Sequence, residues 1–173
     1  MDMIKLHIGG EEKKDGWKIL NIQKKPDVDY VGDISDLSQF EDNSIQEIYA
    51  SHVFEHIRRK DITKTILGIY RVLKPSGKFH VSVPDMDVLF KLFLHPDTNG
   101  KRAIHILGMI FGGQIDDFDI HYFGWNFKLI KGTLQANGFK KIEKVKFFNL
   151  FNDTSEYSPY YGIPISLNLT AEK

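Results

Sequence analysis

Residues 61–83 read DITKTILGIYRVLKPSGKFHVSV, and the hydrophobic period changes inside that single run. From Asp61 to Lys74 the apolar residues Ile62, Ile66, Ile69, Tyr70 and Leu73 fall at i, i+4, i+7, i+8 and i+11, one face of an amphipathic helix. Pro75-Ser76-Gly77 stops that helix, because proline cannot extend the hydrogen-bond ladder. From Lys78 to Val83 the period drops to two, with Phe79, Val81 and Val83 on one side, until Pro84 ends the strand. A helix that feeds a strand within four residues is part of a βα unit, so helices should lie on the faces of a mostly parallel sheet.

Toward the N-terminus the strand signals repeat. Ile4 to Ile8 ends in Gly9-Gly10, the polar stretch EEKKDG follows, and Trp17 to Asn21 forms a second strand. Asp29 to Asp33 reads as a third, and Ile45 to Ala50, after the turn-like EDNS, as a fourth. Toward the C-terminus, Met86 to Leu94 is expected to be helical. Asn126 to Asn137 combines an Asn cap, apolar Phe127, Ile130 and Leu134, and a stop at Gly138. Lys141 to Leu150 and Ile163 to Thr170, joined by FNDTSEYSPYYG, close the chain as an antiparallel pair. The expected architecture is one α/β domain over residues 1–173, a doubly wound, mostly parallel seven-stranded sheet with a C-terminal antiparallel hairpin.

Composition narrows the function. The 173 residues are 42% hydrophobic and 27% charged, which excludes a predominantly disordered chain and suits one domain. There is no cysteine, so disulfides, thiolate nucleophiles and cysteine-based zinc sites are excluded together. Lys plus Arg and Asp plus Glu are each 23, leaving no excess positive charge for a phosphate-dominated nucleic-acid interface. KKIEKVK at 140–146 is read as a solvated charged strand. No apolar run is long enough to cross a bilayer, and the opening MDMIKLHIGGEEKK has no long apolar stretch of signal-peptide type. A soluble, cytoplasmic protein is expected, a monomer or homodimer acting on a small or neutral partner.

In open parallel sheets, ligands bind beyond the carboxyl ends of the strands. There the motifs KLHIGG, DGWKILN, VGDISDL, EIYASHVFEHI and YRVLKPSGKFHVSVPD occur in order. In this order the chain resembles the class I S-adenosylmethionine-dependent methyltransferases, in their small type 11-like branch, well over residues 4–94 and loosely thereafter. SHVFEHI and RVLKPSGKF are the most specific pieces.

The resemblance implies S-adenosylmethionine as cofactor and a Rossmann-like methyltransferase fold. Gly9 and Gly10 match the family's glycine loop, where a Cβ would obstruct the cofactor's methionine moiety. Glu11 stands where the family usually has a further glycine. Turned inward, it would repel the cofactor's carboxylate by about 1–4 kcal/mol at about 4 Å; turned outward, it belongs to a solvated loop with Glu12, Lys13 and Lys14. Asn21, with Ile22 and Gln23 beside it, occupies the position of the family's acidic ribose acceptor, and an amide is a weaker acceptor than a carboxylate. Asp33 and Ile34 match the adenine-edge position, although Asp33 is equally readable as a turn cap. Ser51 and His52 match the residues that line the methionine and the transferred methyl.

His52, Glu55 and His56 also spell H-x-x-E-H, the inverted zinc-peptidase pattern. The pattern lies at a strand end rather than within a long helix, so a zinc hydrolase ranks as a distant alternative and no metal is expected. Glu55 and His56 are read as a hydrogen-bonded helix start on the floor of the site. His7, His80, His95 and His105 are read as structural. His121, in DDFDIHYFGW, precedes the last helix where related enzymes place a substrate-facing segment, and is the leading general base or substrate partner, with Tyr122 second. Residues 85–125 carry Phe90, Phe93, Met109, Phe111, Phe118, Tyr122, Phe123 and Trp125 and are expected to form a cap on the substrate side, with Gly112-Gly113 making it mobile; the same aromatics could instead complete the covering layer of the sheet or a homodimer face.

The expected reaction is in-line methyl transfer to a small-molecule or glycan-related acceptor. The departures at Glu11 and Asn21 keep open a second reading, a methyltransferase-fold protein that binds cofactor weakly and acts as a scaffold.

Overall fold

The computed structural model describes residues 4–173, so the first three residues of the N-terminal run lie outside the described residues. The strands are β1 (Ile4–Ile8), β2 (Trp17–Asn21), β3 (Tyr30–Val31), β4 (Ile45–Ser51), β5 (Leu73–Pro84), β6 (Lys140–Lys144) and β7 (Ser166–Glu172). The helices are α1 (Ile62–Val72), α2 (Met86–Phe93), α3 (Gly100–Phe111) and α4 (Phe127–Ala136). They build one sheet in the order β3-β2-β1-β4-β5-β7-β6. β7 runs antiparallel to both β5 and β6, and the other neighbours pair in parallel. The chain leaves β1 toward β2 on one side and returns to β4 on the other, so the switch point lies between β1 and β4.

The two faces of the sheet are covered by different means. On one face Leu6, Leu20, Ile48, Phe79 and Val81 meet Ile66 and Ile69 of α1 and Ile130 and Leu134 of α4, forming the main core. On the other, β1 and β2 are joined only by the loop 9–16, with no helix between them, whereas most parallel neighbours are joined by a longer crossover. Segment 145–151 supplies the missing cover. Phe151 packs with Trp17 and Tyr49, supported by Phe148 and Leu150, and its ring lies 3.9 Å from that of His7.

That covering role explains a correction: the strand expected over Lys141–Leu150 ends at Lys144, because the next residues leave the sheet to close its bare face. Three further boundaries move. β5 starts at Leu73, which pairs with Ile45, and a bulge around Ser76 (φ +62°) precedes the register Lys78↔Glu47. The third strand shrinks to Tyr30–Val31. The last strand begins at Ser166 rather than Ile163. Helix α3 escaped the sequence reading, although Asn99 caps it by accepting from the Arg102 amide at 3.0 Å.

Helices α2 and α3 pack on each other through Leu89, Leu92 and Ile106, with Ile165, as a small core of their own. Trp125 belongs instead to the main core beside Phe54. Among the described residues no helix is long and apolar enough to cross a membrane.

Candidate active site

A cavity of about 680 Å³ opens at the carboxyl ends of β1, β2, β3 and β4. That volume lies within the usual range of small-molecule sites. Its walls include Gly9 and Glu11 after β1, Asn21, Ile22 and Gln23 after β2, Asp33 and Ile34 after β3, and His52 after β4. Gly10, Ser51 and His121 are not among its lining residues.

The glycine loop is tightly specified. Gly9 has φ +76°, and a Cβ there would come within 2.5 Å of Val53 Cγ2. A Cβ on Gly10 would strike the ring of His7 at 2.4 Å, so this glycine is required by the histidine beneath it. His7 is 6% exposed, and burial pushes its pKa down from 6.5 to about 4, against the pull of Asp153.

Asn21 is buried and fully engaged. Its Nδ2 donates to the Gly10 carbonyl at 3.1 Å, and its Oδ1 accepts from the Gln23 amide at 2.9 Å. The side chain expected to receive ribose hydroxyls therefore fastens the glycine turn to the loop after β2. Glu11 is exposed and paired with Lys25, a residue absent from the sequence reading, and this pair spans two walls of the cavity. The neighbouring ammonium balances its charge, which removes much of the repulsion anticipated for an inward carboxylate. Asp33 is exposed and accepts from the Ser35 amide at 2.7 Å, which makes it a turn cap while it still lines the cavity.

Beyond β4 the chain makes a sharp turn. His52 takes φ +52°, and Phe54–His56 form one 3₁₀ turn. The H-x-x-E-H residues therefore do not share a helix face. His52 Nε2 lies 2.9 Å from Ser166 Oγ, and the Ser51 hydroxyl is buried without a partner. Glu55 is 1% exposed, and its Oε1 is 3.2 Å from His52 Nδ1 without hydrogen-bond geometry. Burial drives the Glu55 carboxyl up, yet His52, His56 and His121 together hold it below the usual carboxylate range.

His121 reaches the same place from the far side. Its Nδ1 lies 3.1 Å from the Met109 carbonyl, and its ring meets that of His56 edge-on at 4.7 Å. Burial lowers its pKa below the ordinary histidine value. The turn before it contributes Asp116, Asp117, Phe118 and Asp119 to the cavity wall, joined by Tyr122. Gly112 (φ +85°) shapes that turn: a Cβ would lie 2.3 Å from the Asp119 carbonyl, and Gln114 donates to the same oxygen at 2.9 Å. The glycine makes a closed loop here.

Sequence reasoning missed Lys25, Arg58 and the aspartates at 116–119 as wall residues. The H-x-x-E-H match did flag Glu55 and His56, but no spacing rule joins them to a histidine far along the chain.

Residues 12–81 match the family model for a methyltransferase domain. Among curated proteins none matches the sequence. Solved structures show the same fold across nearly the whole chain. A methyltransferase from Archaeoglobus fulgidus is 15% identical at a TM-score of 0.62, over 99% of this chain and 86% of that one. A Listeria monocytogenes protein of the same assigned class is 19% identical at 0.60, over 99% and 90%. The 1,6-didemethyltoxoflavin N1-methyltransferase of Burkholderia thailandensis, solved with S-adenosylhomocysteine bound, is 14% identical at 0.60, over 98% and 70%. The match to a methyltransferase domain covers residues 12–81, and over nearly its whole length the chain has the fold of S-adenosylmethionine-dependent methyltransferases.

Proposed function

We propose that the protein transfers the methyl group of S-adenosylmethionine to a small-molecule or glycan-related acceptor by in-line displacement. The observation that carries this reading is the cavity at the switch point, walled by the ends of four successive strands. The residues fit such a donor. Gly9 leaves open backbone where a side chain would intrude, Lys25 offers an ammonium near an amino-acid carboxylate, and Asp33 with Ile34 presents a carboxylate beside an apolar surface. When bound, S-adenosylmethionine supplies a methyl already activated by its sulfonium, so the chain needs no nucleophile of its own.

The chain's task is positioning and exclusion of water. Segment 85–125 serves as the cap on the acceptor side, because Phe118 and Tyr122 reach the cavity from it. His121 acts as the base or hydrogen-bond partner of the acceptor: with Nδ1 donating to a carbonyl, Nε2 keeps its lone pair. Asp116, Asp117 and Asp119 beside Asp33 and Asp61 make the entrance acidic, which opposes a polyanionic acceptor such as nucleic acid.

The test is transfer of labelled methyl from S-adenosylmethionine into fractionated cell extract. Label in the low-mass or glycan fraction is the expected result; label confined to nucleic acid or protein overturns the acceptor class. The engagement of Asn21 favours a second reading, a scaffold with weakened cofactor affinity. Absence of any S-adenosylhomocysteine binding would select it.

A further inference from the structure

Glu55 is left without a task by the methyl-transfer reading. It is 1% exposed, His52 Nδ1 lies 3.2 Å from Oε1, and neither carboxylate oxygen has a hydrogen bond of good geometry, a costly state for a buried carboxylate. It is not isolated: one ligand atom each from Glu55, His56 and His121 lies within 4.8 Å of the others. The two histidines are held in a telling way. His56 Nδ1 is 3.1 Å from the Ile120 carbonyl, and His121 Nδ1 is 3.1 Å from the Met109 carbonyl. A carbonyl only accepts, so each Nδ1 carries the proton and each Nε2 keeps its lone pair. Metal-binding histidines are oriented by this same kind of outer hydrogen bond.

We propose that Glu55, His56 and His121 bind a divalent transition-metal ion in the wall of the cavity. Two imidazoles and one carboxylate suit Mn²⁺, Fe²⁺, Co²⁺ or Zn²⁺ better than the all-oxygen preference of Mg²⁺ or Ca²⁺. Bonds of about 2.0–2.2 Å place ligand atoms roughly 3–4 Å apart, so small side-chain rotations close the trio around an ion. His52 Nδ1 lies 3.2 Å from the same carboxylate, and its Nε2 is 2.9 Å from Ser166 Oγ. This set differs from the H-x-x-E-H pattern, since the third ligand comes from the segment between α3 and α4 and His52 is not a ligand. His56 belongs to both the trio and the cavity wall, so an ion held there lies at the cavity's edge, with water or an oxygen of the acceptor to complete its coordination. That last use rests on the methyl-transfer reading and takes the place of His121 Nε2 as the acceptor's direct partner, since one lone pair cannot serve both; binding of the ion does not rest on it.

The experiment is titration of the metal-free full chain with Co²⁺, followed by visible absorption and equilibrium dialysis. One Co²⁺ per chain with ligand-field bands is expected, weakened at least about tenfold in His121→Ala and in His56→Ala and unchanged in His105→Ala. No stoichiometric binding, or binding that His121→Ala leaves intact, overturns the site. Should His56→Ala fail to fold, the wild-type spectrum and His121→Ala decide. A parallel titration of metal-free protein with S-adenosylhomocysteine separates the two ideas: Co²⁺ binding without it sinks methyl transfer alone, and the reverse sinks the metal site alone.

Discussion

The side-chain amide of Asn21 donates to the carbonyl oxygen of Gly10 at 3.1 Å, tying the end of the second strand to the glycine turn that follows the first. A carboxylate at position 21 could not make this bond, because it has no donor. The position that diverges from the family's acidic residue has thus become a structural fastener. Asn21→Asp is expected to lower stability by about 1–3 kcal/mol, the cost of facing a buried carbonyl with an unpaired charge. Urea unfolding measures this, and a variant as stable as the parent contradicts the assignment.

Gly9→Ala tests the turn itself. The new methyl would meet Val53 Cγ2 at 2.5 Å on a backbone with φ +76°. A loss of about 1–3 kcal/mol is expected from the strained conformation, together with at least tenfold weaker binding of S-adenosylhomocysteine. Thermal denaturation and calorimetry read the two effects, and an unaltered affinity would show that the loop does not approach the ligand.

Stability should depend on His7 between neutral and mildly acidic pH. Its folded pKa is depressed from 6.5 to about 4 by burial against Phe151 and Tyr49. The unfolded chain therefore binds the proton first. The contribution is complete above about pH 6.5 and is lost as pH falls toward 4, on the order of 3 kcal/mol in all. Urea midpoints at pH 7 and 4.5 should differ in the parent and differ less in His7→Leu; parallel pH profiles for both chains would rule the histidine out.

Gly112→Ala should open the acidic loop while leaving the sheet intact. Its Cβ would sit 2.3 Å from the Asp119 carbonyl, the same oxygen that Gln114 uses to close the turn. Limited proteolysis is expected to cut within residues 114–119 in the variant and not in the parent. Equal resistance would mean that the loop is held by other contacts.

The parallel sheet was legible because residues 61–83 switch from a helical to a strand period within one run, and because the glycines at 9 and 10 close an apolar strand. The end of the sixth strand was not, since Phe148, Leu150 and Phe151 continue an apolar pattern that suits a strand equally well. They leave the sheet because no helix covers His7, Trp17 and Tyr49, a vacancy that exists only in three dimensions. The cavity wall was legible where it follows strand ends, as at Gly9, Asp33 and His52. It was illegible where partners are distant in sequence: Lys25 beside Glu11, and His121 beside His56. Asn21 was read by its position, but the task of its amide depends on where the Gly10 carbonyl points.

Calorimetric titration of S-adenosylhomocysteine into the purified chain tests the central claim most directly. Saturable heat at one ligand per chain, with affinity tighter than millimolar and lost in Gly9→Ala, is the predicted result. No heat and no thermal shift at millimolar ligand would contradict it.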